Sequence, residues 1–453
     1  MTDMSETEAQ WQSHLYGILP HPTEARVLLL AGEAGWTLPY MHVAREVWSA
    51  EVGCINEGLG RTMKAQLTTL RYANFCSDEA RRQVEAVYLL ENHDPAWAPP
   101  SNGQWVGGDE LARLPLARPE HRAMIEQYLA ENDPDTRPAR RPPWAQKGWF
   151  VRAEAWMQTQ LAQSGYTVTA PIEQVKSWCI SCILRARTTA GDVYFKQAAA
   201  LPLFGPEPRL TAGLARLYPD HIPIPLAIDE EQGWMLLADF GPEVGWDAPL
   251  AVREEALALF GQLQINFAGR VDELFALGCL DRRLDRLAEQ IEPLLYDGHV
   301  RSALNVAEVE KLQALAPQLK TMCAALASYK VPQTLVHGDL HLSNVARQGG
   351  KYLFFDWTDA CVTHPFLDMI DILREKDESA QARLRDRYLA LWSDYEPPER
   401  LQEMWVMAEP LCALHQAVSY QYIMANVEPV TRQDLAWPFS HFLRKILQSI
   451  EKM

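Results

Sequence analysis

The stretch LVHGDLHLSNVARQGGKYLFFDWTDA, from Leu335 to Ala360, most constrains what this chain can fold into. Short apolar runs typical of strands alternate in it with histidines, aspartates and an asparagine. Strands are joined by loops, and polar side chains concentrated in two neighbouring loops indicate a cleft that carries chemistry. We therefore expect a site built from the loops at the ends of these strands.

The spacing of the polar residues predicts phosphoryl transfer. His337-x-Asp339 is followed by four residues and then Asn344, which is the spacing of a kinase catalytic loop. Asp356 follows twelve residues later, after the strand-like run KYLFF. Magnesium takes oxygen ligands, so Asn344 and Asp356 are the predicted metal ligands. Asp339 is then left to accept the proton of an incoming hydroxyl group.

The motif HGDLHLSN…DW resembles the aminoglycoside phosphotransferases and the choline-kinase-like small-molecule kinases, from Trp149 to the C-terminus. Trp357 and Thr358 stand where protein kinases have Phe-Gly after the metal-binding aspartate. The resemblance implies a protein-kinase-like fold of two lobes. It also implies an ATP- and Mg²⁺-dependent enzyme that transfers the γ-phosphate to a hydroxyl group of a small molecule, namely an aminoglycoside-like compound, an amino alcohol or a sugar.

Three further residues near the motif have predicted roles. His341 stands two positions after the catalytic aspartate, where it either contacts the γ-phosphate or serves only as a structural hydrogen-bonding residue. His337 is expected to support the loop without reacting. Asp368, in HPFLDMID, resembles the aspartate of this family that anchors the catalytic loop.

The length of the chain and a proline-rich stretch within it predict the domain organisation. A chain of 453 residues exceeds one typical core, and a proline- and arginine-rich stretch at 132–148 is typical of a linker between separately folding parts. We predict an α/β (α+β) protein. It comprises a Nudix-like α/β domain at 1–131, the linker, a kinase-like N-lobe at 149–239 and a helical C-lobe at 240–453.

The predicted N-lobe offers a lysine and a glutamate for the nucleotide. In VYFKQ, alternation places Val193 and Phe195 on one face of a strand and Lys196 on the other. Lys196 resembles the lysine that binds the α- and β-phosphates, and Glu207, at the start of the helix EPRLTAGLARLYP, is its predicted partner. The alternative is an exposed lysine and a glutamate that merely favours a helix N-terminus.

The hairpin that should cover the phosphates departs from the kinase pattern. It reads VKSWCISCIL and has no Gly-x-Gly-x-x-Gly, so Ser177 and Ser181 are the candidate donors to phosphate. Its Cys-x-x-Cys lacks further ligands for zinc and does not open a helix, which argues against a metal or redox site. Adenine is expected to meet the backbone of the hinge, from Leu237 to Asp239.

The N-terminal part resembles the Nudix domain, including its WVGGDEL segment, but lacks that family's metal-binding carboxylates. AREVWSAEVG supplies Arg45 and Glu46 where the glutamate-bearing helix is expected, whereas Ser49 and Ala50 replace the glutamate pair and Thr37 replaces an upstream glutamate. The expectation is a non-catalytic shell, with an unrelated α/β cap as the alternative.

The net charge of −17 argues against a generic nucleic-acid binder. It suits either simple solubility or a cationic substrate, for which Asp359, Asp371 and Glu409 are candidate contacts. No apolar run is long enough for a membrane span, and the acidic start is unlike a secretory signal. The scattered cysteines suit a reducing cytoplasm.

The functional alternatives are a kinase-fold pseudoenzyme or binding protein, and a hydrolase acting through the N-terminal domain. The oligomeric state is left open.

Overall fold

The computed structural model describes residues 10–131 and 138–453, so residues 132–137 of the predicted linker lie outside the described residues. The chain divides into two compact units. The first runs to Ala199 and also takes in Val427–Thr431, and the second comprises Ala200–Asn426 and Arg432–Met453. The strands predicted for the start of the N-lobe thus belong to the same unit as the N-terminal part, while the predicted domain boundaries stay a prediction.

Two sheets and three helices make up the N-terminal part of the first unit. A four-stranded sheet has the order β4-β1-β6-β5, in which β1 and β6 are parallel, and an antiparallel sheet has the order β3-β2-β7. The strands are β1 (Gln12–Ile18), β2 (Val27–Gly32), β3 (Gly35–Thr37), β4 (Tyr40–Val43), β5 (Leu67–Asp78), β6 (Gln83–Asn92) and β7 (Gly103–Val106). The helices are α1 (Gly53–Met63), α2 (Gly108–Leu111) and α3 (His121–Ala130).

The helix expected in AREVWSAEVG is not there. After β4 the chain from Arg45 to Val52 is irregular, and α1 begins at Gly53. Arg45 pairs with Glu51 at 2.6 Å, and Ser49 and Ala50 are buried. The apolar residues of this segment pack as irregular chain, which the sequence pattern could not distinguish from a helical face. The Nudix resemblance itself stays a prediction.

Between residues 149 and 199 the first unit contains one α-helix and an antiparallel meander. Helix α4 (Trp149–Gln163) precedes β8 (Glu173–Ser177), β9 (Ser181–Thr188) and β10 (Gly191–Ala198), with β9 in the middle. Gly191 has φ of 109°, a conformation open to glycine, and it closes the predicted turn between β9 and β10. Val193 and Phe195 are fully buried, as the predicted alternation requires.

The second unit begins with the predicted helix and hairpin. Pro206 precedes α5 (Glu207–Leu217), and the antiparallel pair β11 (Pro225–Asp229) and β12 (Trp234–Ala238) follows. The helical remainder consists of α6 (Leu250–Asn266), α7 (Val271–Leu277), α8 (Leu284–Leu295), α9 (Gly298–Ala303), α10 (Val306–Ala314), α11 (Ala316–Ala327), α12 (Ile370–Arg374), α13 (Glu378–Ala390), α14 (Pro398–Asn426) and α15 (Gln433–Glu451).

Five short strands interrupt these helices and position the loops of interest. Strand β17 lies between a parallel neighbour, β13, and an antiparallel neighbour, β14, while β15 and β16 form a hairpin. Their bounds are β13 (Leu280–Asp281), β14 (Thr334–Val336), β15 (Val345–Gln348), β16 (Lys351–Phe354) and β17 (Cys361–Thr363). The predicted catalytic loop runs from the end of β14 to the start of β15.

Helices and sheets are both present throughout, which confirms the mixed α and β class. Within residues 10–131 and 138–453, no helix combines the length and hydropathy that a membrane span requires.

Candidate active site

Asp368 holds the start of the catalytic loop. Its carboxylate is fully buried and accepts the backbone N–H groups of His337 at 2.7 Å and Gly338 at 3.0 Å. Burial raises the pKa of Asp368 to about 7, although the two N–H groups act in the opposite direction. Asp368 therefore anchors the loop, as its position in the sequence predicts.

Gly338 allows two loops to approach closely. Its φ is 85°, and a Cβ atom at this position would stand 2.3 Å from the carbonyl oxygen of Asp359. Its own carbonyl accepts a hydrogen bond of 2.6 Å from Nε2 of Gln416. Since any side chain here would collide with backbone, the glycine of the motif is required by packing.

His337 ties the catalytic loop to the segment that follows β16. Its Nε2 lies 2.8 Å from the carbonyl oxygen of Phe355, to which it donates, and its ring lies 4.7 Å from that of Trp357. Burial lowers the pKa of His337, so the ring is neutral near pH 7. This geometry confirms that His337 supports the loop.

Asp339, the predicted proton acceptor, has an accessible side chain. Its side chain is 43% exposed, whereas its neighbours in the loop are largely buried, and one carboxylate oxygen lies 3.4 Å from Nε2 of His341. Burial acts to raise the pKa of Asp339, but the hydrogen bond and charge of His341 outweigh it, so that the pKa is lowered. Asp339 is thus a carboxylate at neutral pH and can accept a proton.

The register of the β15–β16 hairpin brings Asn344 beside Asp356. Val345 pairs with Phe354, and the N–H of Phe355 donates to the carbonyl of Asn344 at 3.1 Å. The side-chain N–H₂ of Asn344 donates at 2.9 Å to the backbone carbonyl of Asp339. The amide of Asn344 and the carboxylates of Asp339 and Asp356 therefore belong to two neighbouring loops.

Asp356 has a strained backbone. Its φ of 65° and ψ of 60° are uncommon for a residue other than glycine, and such conformations concentrate at functional sites. Thr358 donates to its carboxylate at 2.9 Å, and the buried indole of Trp357 donates to the carbonyl of Phe354 at 3.0 Å. The two residues in place of Phe-Gly therefore fix the loop that carries Asp356.

Trp246 and Arg374 are site residues that the sequence analysis missed. The Trp246 ring lies 4.1 Å from that of His341, and the guanidinium of Arg374 lies 3.7 Å from the centroid of Trp246. The N–H of Gly245 donates to the carbonyl of Leu342 at 3.0 Å, which fixes the tryptophan loop to the catalytic loop. The one feature of the sequence that could have indicated Trp246 is its position as a lone tryptophan in the glycine- and proline-containing stretch DFGPEVGWDAPL.

The predicted nucleotide contacts are distributed over both units. Ser181 begins β9 and Lys196 lies near the end of β10, in the first unit. In the second unit Glu207 is buried in the first turn of α5, Leu237 lies in β12, and the Asp239 carboxylate accepts the N–H of Gly241 at 2.9 Å. The roles of these five residues, and of the pair Lys196 and Glu207, stay predictions.

Two of the three acidic residues expected to meet a cationic substrate are already paired within the protein. Asp371 is buried and lies 3.0 Å from Arg253, and Glu409 lies 3.2 Å from Lys445. Both residues therefore have internal partners, and their contact with a cationic substrate stays a prediction. Ser177 is also engaged, since its N–H donates to the carbonyl of Ala50 at 3.0 Å.

Comparison with known proteins gives a family match and a set of distant structural matches. Residues 185–403 match the family described as "Phosphotransferase enzyme family", APH. No curated protein gives a significant sequence match. Among solved structures, a macrolide 2'-phosphotransferase type I matches with 16% identity and a TM-score of 0.47, covering 66% of this chain and 97% of that one.

Two kinases give similar structural matches. A choline/ethanolamine kinase family protein from Mesorhizobium loti has 16% identity and a TM-score of 0.47, covering 67% of this chain and 99% of its own. Choline kinase LicA from Streptococcus pneumoniae has 10% identity and a TM-score of 0.45, covering 66% and 99%. The family match spans the catalytic loop and the segment carrying Asp356. Residues 185–403 are therefore similar to the APH phosphotransferase enzyme family, in agreement with the resemblance that the sequence motif predicts.

Proposed function

We propose that this protein transfers the γ-phosphate of ATP, in the presence of Mg²⁺, to a hydroxyl group of a small molecule. The observation that carries the proposal is the accessible carboxylate of Asp339, whose lowered pKa keeps it ionised within reach of Asn344 and Asp356. The kinase catalytic-loop spacing supports the same chemistry.

The residues expected to hold magnesium fit that ion. The amide oxygen of Asn344 and the carboxylate of Asp356 are hard oxygen donors. The β15–β16 register, in which the N–H of Phe355 donates to the backbone carbonyl of Asn344, supports their assignment to one ion. Among the described residues there is no cluster of three or more histidine, cysteine, aspartate or glutamate side chains that could hold a metal. Two protein ligands suit magnesium, which keeps waters and binds phosphate oxygens for its remaining positions. Bound magnesium would neutralise phosphate charge.

Asp339 performs the proton transfer in this proposal. One of its carboxylate oxygens accepts the proton of the acceptor hydroxyl as the new oxygen–phosphorus bond forms. The bond between the γ-phosphorus and the bridging oxygen breaks, and ADP leaves. His341 keeps its Nε2 near the same carboxylate and is held by the Trp246 ring. From there it either reaches the transferring phosphoryl group or only orients Asp339.

Lys196 and Glu207 are the proposed pair that orients the α- and β-phosphates. Ser181 and the backbone from Leu237 to Asp239 are the remaining proposed nucleotide contacts. Aminoglycoside-like compounds, amino alcohols and sugars are the proposed acceptor classes, since all offer hydroxyl groups. Because Asp371 and Glu409 already pair with Arg253 and Lys445, the proposed acceptors include neutral compounds as well as cationic ones.

A cytoplasmic location is part of the proposal. All eight cysteines are free thiols and six of them are buried, an arrangement that suits a reducing compartment. ATP at the concentrations that a kinase needs is found in the same compartment.

An acceptor screen tests the proposal. ADP release is measured with MgATP and a panel of amino alcohols, sugars, aminoglycosides and macrolides, using the wild type and Asp339→Asn. We expect one class to stimulate ADP release, and the variant to lose about 10²- to 10⁴-fold of that activity, since the amide cannot accept the proton. Binding of ATP without transfer to any acceptor would favour a pseudoenzyme, and turnover that survives in Asp339→Asn would refute the assigned base.

A further inference from the structure

The edge of the N-terminal sheet is capped by a side chain from the predicted N-lobe. Strand β5 is the outer strand of its sheet. The side-chain amide of Gln174, in β8, accepts the N–H of Thr69 at 2.7 Å and donates to the carbonyl of Thr69 at 2.8 Å. One glutamine thus satisfies both backbone groups of an edge residue, as a neighbouring strand would.

Asn56 of α1 closes this contact into a network. Its side-chain N–H₂ lies 3.1 Å from Oε1 of Gln174, and its oxygen accepts the hydroxyl of Thr69 at 2.8 Å. Thr69, Gln174 and Asn56 are 1%, 4% and 9% exposed. Because water has little access, the three residues depend on one another for their hydrogen bonds, and breaking one contact leaves buried polar groups unpaired.

The turn between β8 and β9 is held by aromatic residues from outside the meander. The Trp178 ring lies 5.3 Å from that of Trp48, and Lys176 Nζ lies 5.2 and 5.1 Å from the two ring centroids. The indole of Trp144 donates to the carbonyl of Trp178 at 2.8 Å. The hairpin that lacks the glycines of a flexible phosphate loop is therefore fixed at its tip and along its outer strand.

We propose that the N-terminal domain, residues 10–131, is a positioning domain for the nucleotide: it holds the β8–β9 hairpin in the conformation that binds ATP. The inference rests on the proposed function, in which this hairpin covers the phosphates. Asn56 and Trp48 are the positioning residues, since each acts on the nucleotide only through the hairpin.

Preorganisation of the hairpin links the N-terminal domain to ATP affinity. A glycine-rich loop becomes ordered when nucleotide binds, and that ordering reduces affinity. Here the same ordering is achieved in the folded protein, through buried hydrogen bonds at Gln174 and through the aromatic and cation–π contacts of Trp178. ATP affinity should therefore depend on residues of the N-terminal domain that do not touch ATP. The proline-rich linker predicted separate folding of the two parts, whereas these contacts join them.

Two variants and one control test the proposal in the full-length chain. Asn56→Ala breaks the buried network, and Trp48→Ala removes a ring that is 46% exposed, so the fold should tolerate it. Asn102→Ala is the control, because this asparagine of the same domain is exposed and its side chain donates to the carbonyl of Ala31 at 3.2 Å, while its backbone hydrogen bond with the N–H of Ala31 survives the substitution. For each protein, hydrogen exchange is measured over residues 173–181, together with the MgATP dissociation constant and the KM and kcat for ATP.

We expect faster exchange in the hairpin for both variants. ATP affinity should weaken about tenfold in Asn56→Ala, the factor that corresponds to one buried hydrogen bond of about 1.4 kcal/mol, and about threefold in Trp48→Ala. The loss should appear in KM more than in kcat, and Asn102→Ala should match the wild type.

The other outcomes refute either the positioning role or the proposed function. Faster exchange with unchanged ATP affinity, or unchanged exchange in both folded variants, refutes the positioning role. If Asn56→Ala does not fold, the Trp48→Ala result alone decides between these outcomes. A wild-type protein that does not bind MgATP refutes the proposed function instead, and this inference falls with it.

Discussion

Replacing Asp368 should loosen the catalytic loop and lower stability by a calculable amount. The carboxylate is fully buried and accepts two backbone N–H groups, at His337 and Gly338. Asp368→Ala leaves both unpaired, and each buried unpaired group costs about 1–3 kcal/mol, so the free energy of unfolding should fall by about 2–6 kcal/mol. Asp368→Asn keeps one acceptor oxygen and should lose about half as much.

The pH dependence gives an independent test of the same residue. Burial raises the folded-state pKa of Asp368 to about 7, above the ordinary value of 3.8. The stability that Asp368 contributes is therefore complete below about pH 4 and is lost as pH rises through about 7. Between the two pKa values, each pH unit changes the free energy of unfolding by about 1.36 kcal/mol. The difference in unfolding free energy between the wild type and Asp368→Asn should therefore narrow by about 2–3 kcal/mol from pH 5 to pH 8.

Urea unfolding at pH 5 and pH 8, combined with hydrogen exchange at the His337 and Gly338 amides, measures both effects. Asp220→Asn is the control, since Asp220 is an exposed residue paired with Lys351 at 2.6 Å and its replacement should leave the unfolding midpoint unchanged. An Asp368→Ala protein within about 0.5 kcal/mol of the wild type, the range of ordinary surface substitutions, would refute the anchoring role. A gap that does not change with pH would refute the titration argument.

Four further changes have definite expected outcomes. Asp339→Asn should leave the MgATP dissociation constant within a few-fold of the wild type in calorimetry, and a large loss of binding would mean that Asp339 holds the nucleotide. Asp356→Ala should abolish the magnesium dependence of ATP binding, because the cation loses its anionic ligand, and unchanged dependence would exclude it as a ligand. Gly338→Ala should lower the free energy of unfolding in urea by at least about 2 kcal/mol, because the added methyl group collides with the Asp359 carbonyl. A variant as stable as the wild type would contradict that contact. Trp246→Leu should lower kcat several-fold with little change in KM for ATP, since the His341 ring loses its stacking partner; unchanged kcat would remove Trp246 from the site.

The sequence predicted those parts of the molecule that depend on local pattern. The meander β8–β10, the turn at Gly191 and the helix from Glu207 follow from alternation, turn chemistry and helical period. The catalytic loop was predictable because phosphoryl transfer requires particular side chains at a fixed spacing. Asp368 was found in the same way, through a family resemblance that its buried hydrogen bonds bear out.

What the sequence could not predict depends on contacts between distant segments. Trp246 and His341 are 95 residues apart in the sequence, and no local pattern encodes their contact. Asp371 pairs with Arg253 and Glu409 pairs with Lys445, and both partners are far away in the sequence. The local sequence therefore gave no sign that either acidic residue has an internal partner. Gln174 reads as an ordinary strand residue, and only tertiary structure shows that it caps Thr69.

Phosphorus NMR of the reaction product tests the central claim most directly. The protein is incubated with MgATP and the acceptor that stimulates ADP release most, and the product is followed over time. The account predicts a new phosphomonoester signal that grows in step with ADP and is absent with Asp339→Asn. Inorganic phosphate as the only new signal, or a phosphomonoester formed equally well by Asp339→Asn, would contradict it.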